Sequence, residues 1–149
     1  MNLFGVLDIS ASALLAERQR AEVVTSNLAN AQSAGANPAQ VYRRKEVVFQ
    51  SQPFSESLAQ AGEPAALPQL DASAPGVAVT GVVTDQTPLV RRYEPGNANA
   101  DAQGYVTYPN INPEQEMTDL MEAVRSYQLN ISATNATKTM IQQSLTLLS

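Results

Sequence analysis

The sequence has no cysteine, no histidine and no tryptophan. Without cysteine there is no disulfide framework, no thiolate metal site and no cysteine nucleophile. Without histidine the commonest general base and the commonest metal ligand are gone. Aromatic residues make up only 5% of the 149 positions and charged residues only 15%. A large, densely packed interior is therefore not expected. What remains for chemistry is carboxylates, two lysines, five tyrosines and hydroxyls, and most enzyme classes drop out before any motif is read. No catalytic residue, cofactor or metal site is predicted.

Positive charge is scarce where acids are common. Up to Lys45 the chain has three acids against five basic residues. From Glu46 to Glu122 eleven acids face only Arg91 and Arg92, and beyond Glu122 only Arg125 and Lys138 are charged. An acidic middle argues against a nucleic-acid groove, which needs clustered Lys and Arg to meet phosphates. Long hydrophobic runs are missing too. No stretch approaches the roughly 18–20 apolar residues that span a bilayer, so no membrane insertion is expected. The start, Met1-Asn2-Leu3-Phe4-Gly5-Val6-Leu7-Asp8, lacks a basic region, and Asp8 interrupts the apolar run too early for a cleaved signal peptide.

Proline is absent from both ends. All nine prolines lie from Pro38 to Pro113, and six of the seven glycines from Gly35 to Gly104. Proline inside a helix removes a hydrogen bond and clashes with the preceding turn, at a cost of about 3 kcal/mol. The ends are thus free to form long helices, each roughly 40–50 Å at about 1.5 Å per residue. Apolar residues recur there at steps of three and four, through Leu7, Leu14, Val24 and Leu28 at one end. At the other they run through Met117, Leu120, Val124, Tyr127, Ile131, Ile141, Leu145 and Leu148. This pattern predicts two helices pairing as a coiled coil, the first stopping at Gly35 and the second starting at Pro113.

The middle reads as short strands over 41–49, 77–83, 89–93 and 105–108. A proline-bearing loop spans 51–76. The fold class is α+β, mainly α. Residues 1–34 with 114–149 form a terminal-helix unit, and 35–113 a β-strand and loop insert.

Local motifs mostly have plain explanations. The Asn97 to Gly104 stretch alternates oxygen ligands as a calcium loop does, but Ala102 and Tyr108 stand where an EF-hand needs Gly and Glu. An Asx-rich turn is the reading it supports. The sequons Asn130-Ile131-Ser132 and Asn135-Ala136-Thr137 fall inside the second helix and are chance matches. Arg43-Arg44-Lys45 reads as a solvated face or a salt-bridge partner for nearby acids. Glu114, Glu116, Asp119 and Glu122 complement a helix N-terminus. One feature resists such explanations. From Ser126 onward the polar positions are Ser, Thr, Asn and Gln, with Lys138 the only charge. A helix surface so poor in charge is suited to being surrounded by protein.

Three blocks resemble a known family. The first is Ile9-Ser10-Ala11-Ser12-Ala13-Leu14 with Ala16-Glu17-Arg18 and Ser26-Asn27-Leu28-Ala29-Asn30-Ala31. The second is Tyr93-Glu94-Pro95-Gly96, then Ala100-Asp101-Ala102-Gln103-Gly104-Tyr105-Val106-Thr107-Tyr108-Pro109-Asn110. The third is Glu116-Met117-Thr118-Asp119-Leu120-Met121, then Arg125-Ser126-Tyr127-Gln128-Leu129-Asn130. Together they resemble the rod proteins of the bacterial flagellar basal body, and among them the proximal rod subunits. Two departures are Asn97-Ala98, where the family usually has His-Pro, and 32–38, which replaces a Thr-rich segment.

The resemblance implies a structural subunit polymerising into the helical drive shaft that carries motor torque toward the hook. A different rod or hook subunit is the alternative. It further implies passage through the flagellar type III export apparatus without a cleaved signal, and a place in the periplasmic rod. The implied partners are copies of the chain, other rod proteins and the basal-body adaptor and ring proteins. The residues expected in subunit packing are the apolar positions named above, joined by the amides Asn27 and Asn30.

Overall fold

The computed structural model describes residues 3–35, 37–52 and 76–146. Helix α1 spans Leu3–Asn30, strands β1 and β2 span Lys45–Gln52 and Gly76–Thr84, strands β3 and β4 span Val90–Tyr93 and Tyr105–Tyr108, and helix α2 spans Pro113–Thr146. The expected loop over 51–76 lies largely outside the described residues, as does Leu148.

Both long helices fall where proline is absent. α2 opens on a side-chain cap: Asn112 Oδ1 accepts from the Glu114 amide at 3.0 Å. Pro113 occupies the first helical position, where its missing N–H costs nothing. α1 ends at Asn30, five residues before Gly35. Its last carbonyls are closed by side chains, Asn30 Nδ2 donating to Ser26 O at 2.8 Å and Ser33 Oγ to Asn30 O at 2.7 Å. The chain therefore stops its helix without a left-handed glycine. Gly35 instead donates its amide to Thr107 O at 3.1 Å and forms a lone antiparallel bridge to β4.

The helices run antiparallel. Asn27, near the end of α1, meets Glu116 near the start of α2, and Arg20 reaches Glu122 further along. α1 also carries the β1–β2 hairpin, whereas α2 touches no element except α1 among the described residues. The face of α2 that is buried holds Glu116, Ala123 and Thr137, at seven- and fourteen-residue spacing. α1 buries Ser10, Ala16, Val24 and Asn27. Most of these buried side chains are small. Met117, Val124, Tyr127, Ile131 and Leu145, expected on one stripe, are exposed in the single chain.

The β part consists of two separate antiparallel pairs, β1 with β2 and β3 with β4. The first pair carries a bulge. Val48 faces Gly81 while Phe49 faces Val79, so Thr80 is the extra residue, and its hydroxyl donates to Val48 O at 3.1 Å. The pair is fastened to α1 by Ser12, whose Oγ donates to Ile9 O at 2.8 Å and accepts the Val77 amide at 3.1 Å. A Cβ on Gly76 would overlap the Ser12 side chain. That close approach explains the glycine.

Candidate functional site

Two features stand out: a buried polar junction at one end of the helix pair, and a broad outward surface of α2. The junction centres on Asn27, whose side chain is fully buried. Its Nδ2 donates to Lys45 O at 2.8 Å and to Glu116 Oε2 at 3.0 Å. Its Oδ1 accepts from Tyr42 OH at 2.9 Å and from the Lys45 amide at 3.0 Å. A carboxamide has two donors and two principal acceptor directions, and here all four are used. One residue thus joins α1, the approach to β1, and α2.

Glu116 is 1% exposed, and its second oxygen accepts from Arg44 Nε at 2.5 Å. Arg44 also bonds Glu46 and reaches Asp119 Oδ2 at 3.3 Å. Burial is the largest single influence on Arg44 and favours its neutral form. The hydrogen bond and charge of Glu116, with Glu46 and Asp119, outweigh it and hold the guanidinium above its ordinary pKa. Beside the junction Arg20 lies 3.5 Å from Glu122 and 3.9 Å from Glu17. The arrangement fixes chain geometry. Among the described residues no cluster of acids could hold a metal ion, and no helix is long and apolar enough to cross a membrane.

The loop between β3 and β4 is an Asx-turn loop. Asn97 Oδ1 accepts from the Asn99 amide at 3.0 Å, and Asp101 Oδ1 from the Gln103 and Tyr105 amides, each at 2.9 Å. Asp101 also accepts from Arg91 at 2.6 Å. These bonds, led by the one from Tyr105, hold Asp101 below the ordinary carboxylate pKa. Glu94 is held low by Asn97 and then by Tyr108, and Glu94 in turn raises the Tyr108 phenol.

Hydroxyl donors along α2 are satisfied within the helix. Asn130, Ser132, Thr134, Thr137, Thr139 and Ser144 each donate to the carbonyl four residues earlier, at 2.9–3.0 Å. The hydroxyl donors are spent within the helix, so a neighbour can cover the exposed ones, Ser132, Thr139 and Ser144, without orphaning them.

Of the residues expected in packing, Val24 and Asn27 are buried. Leu7, Leu14, Leu28, Asn30, Leu120 and Ile141 are half-buried, and Met117, Val124, Tyr127, Ile131 and Leu145 face outward. Glu116 and Arg44 were not singled out by the sequence as a pair. Their only signal was an acid of the α2 first turn and a base beside Tyr42, too general to connect residues 72 positions apart.

Two family models match this architecture helix by helix. One described as Flagella basal body rod protein matches residues 7–36, and one described as Flagellar basal body rod FlgEFG protein C-terminal matches residues 102–147. The flagellar basal-body rod protein FlgC of Escherichia coli O6:H1 is 43% identical over 147 residues, covering 99% of this chain and 98% of that protein. The chain belongs to the FlgC family. The FlgC of Salmonella typhimurium is 42% identical over 147 residues with the same coverage, and that of Bacillus subtilis 39% over 154 residues, with 97% of each chain covered. The two segments matched by family models contain Asn27 and Glu116, so the FlgC-type helix pair meets at the junction described above.

Proposed function

We propose that this chain is a structural subunit of the proximal rod of the flagellar basal body. It polymerises with copies of itself and with other rod proteins, meets the adaptor and ring proteins of the basal body, and carries torque toward the hook. It reaches the periplasmic rod through the flagellar type III export apparatus without a cleaved signal. The observation carrying this reading is the lopsided burial of α2, which among the described residues packs on one other element, α1, and has a long outward face combining exposed Met, Val and Ile with self-satisfied hydroxyls. Such a face is suited to coiled-coil packing against other subunits. The family is one of structural rod proteins, and the carboxylates Glu94 and Asp101 have structural duties in their own loop.

Electron microscopy of basal bodies from a deletion strain tests this. Rod and hook should be absent and should return with the intact gene. Met121, 66% exposed, offers a sharper variant. Met121→Asp should leave the subunit folded and made but abolish rod recovery and swimming. Normal rods in the deletion strain would refute the assignment.

A further inference from the structure

The β3–β4 hairpin stands apart from the other elements. Among the described residues no helix and no other strand packs on it. The Glu94 amide donates to Gly104 O at 2.8 Å, and Arg92 lies across from Val106. Bonded pairs alternate along an antiparallel ladder. Val90 and Arg92 therefore spend their main-chain groups on β4, while Arg91 and Tyr93 turn theirs away. The same alternation turns Thr107 outward on β4, where its carbonyl accepts the Gly35 amide at 3.1 Å. The far edge of β4 is thus engaged. That of β3, exposed at all four residues, has no strand paired to it among the described residues.

Exposed edges are commonly blunted by proline, by bulges or by charges projecting over them. β3 has no proline and no bulge, and its two guanidinium groups are drawn back over the hairpin faces. Arg91 lies 4.9 Å from the Tyr105 ring centre and bonds Asp101 at 2.6 Å. Arg92 lies 5.2 Å from the Tyr108 ring centre and, among the described residues, forms no ion pair. On the Arg92 side a groove of about 610 Å³ separates the hairpin from the helix ends. Ala31, Gln32, Val90, Tyr108 and Ile111 line it, and Arg92 is its one charged wall residue among those described.

We infer that β3 is a docking edge for an extended acidic segment of a partner protein, which adds a third strand and sets a carboxylate on Arg92. Charge complementarity names the occupant. Arg91 and Arg92 are the only bases from Glu46 to Glu122, against eleven acids, and both fall on the strand with the open edge. A second copy's β3 is a poor added strand. Two such strands paired along their full length would set arginine against arginine, and like charges directly opposite destabilise. Side chains two apart share a face, so a residue two places from that carboxylate falls beside Val90, in the groove, and should be apolar. This inference goes beyond the rod assignment and does not rest on it.

The probe is a capped hexapeptide alternating threonine and valine, its middle valine replaced by glutamate, titrated into the isotope-labelled full chain. The Arg91 and Tyr93 amides should exchange fast in the free chain, and should shift and gain protection with the peptide. Arg92→Glu should weaken binding about tenfold or more, and a peptide with lysine for glutamate should bind that variant instead. Arg92→Gln, which adds no opposing charge, should show a smaller loss. A peptide N-methylated on the bonds that would meet β3 should not bind. No response at Arg91 and Tyr93 would overturn the inference. Slow exchange of both amides in the free monomer would overturn it as well, since the chain would then cover its own edge. Equal binding of the N-methylated peptide would reduce the effect to charge attraction and overturn it too. Each of these results leaves the rod assignment standing, which the deletion strain tests separately.

Discussion

The Asn27 carboxamide and the Glu116 carboxylate, 89 positions apart in sequence, meet at 3.0 Å with both side chains buried. The contact ties the end of one long helix to the start of the other. It also determines which substitutions the subunit tolerates.

Asn27→Ala leaves the Lys45 amide and carbonyl and one Glu116 oxygen without their partner. Each buried polar group left unsatisfied costs about 1–3 kcal/mol, so unfolding should become easier by about 3 kcal/mol or more. Asn27→Asp sets a second carboxylate against Glu116 and should cost about 3–5 kcal/mol. Urea unfolding followed by helicity measures both. An aspartate variant as stable as the parent would show that the junction is not closed as described.

Gly104 has φ +82°, and a Cβ there would lie 2.9 Å from Tyr93 Cε2. Gly104→Ala should destabilise the β3–β4 loop by about 1–2 kcal/mol. Gly96→Ala, with nothing within 4 Å of its Cβ, should change it by less than about 0.5 kcal/mol. Amide exchange at Glu94 and Tyr105, which flank the loop, distinguishes the two. Equal effects would contradict this account of Gly104.

Much of the helical architecture was legible because proline cannot enter a helix interior, so its absence from both ends marked the helices. The Asx turns were legible for a similar local reason. The buried face of α2 was not. A periodicity search finds the most apolar stripe, and on α2 that stripe runs through Met117, Val124 and Ile131. The face against α1 is set by Glu116, Ala123 and Thr137, one residue round the helix, because close approach needs small side chains and the junction needs an acid. Glu116 looked like any acid of a first helical turn. Only the three-dimensional return of Arg44 and Asn27 distinguishes it.

Acid should loosen the β3–β4 loop selectively. Asp101 and Glu94 have folded pKa values below their ordinary ones, so their bonds contribute fully above about pH 4 and are lost as pH falls through the depressed values. Tyr108 is raised, so its contribution is full below about pH 10 and fades as pH rises through the raised value. The Tyr105 amide resonance should therefore stay constant from about pH 5 to 9 and move on acidification below about 4. Asp101→Ala should abolish the acid transition. A transition centred near neutrality would contradict these bonds.

Dilute subunit should show graded protection along α2. Amides near Ala123, close to the junction, should exchange slowly, and those from Lys138 to Thr146 quickly, since a long helix draws most of its stability from packing. Mass-spectrometric hydrogen exchange on a demonstrated monomer measures this. Uniform strong protection to Thr146 would show that the helix does not depend on neighbours.

Among the described residues, the polar side-chain links between the two helices are Asn27–Glu116 and Arg20–Glu122, both in the same half of the pair. The subunit is therefore a fork with a rigid root and two long tines. Parting the tines by a small angle would break no directional side-chain bond between the helices, and a few degrees at the root would become ångströms of travel at the tips. Identical chains could then fit slightly different surroundings along a curved or tapering wall, each keeping its root geometry intact.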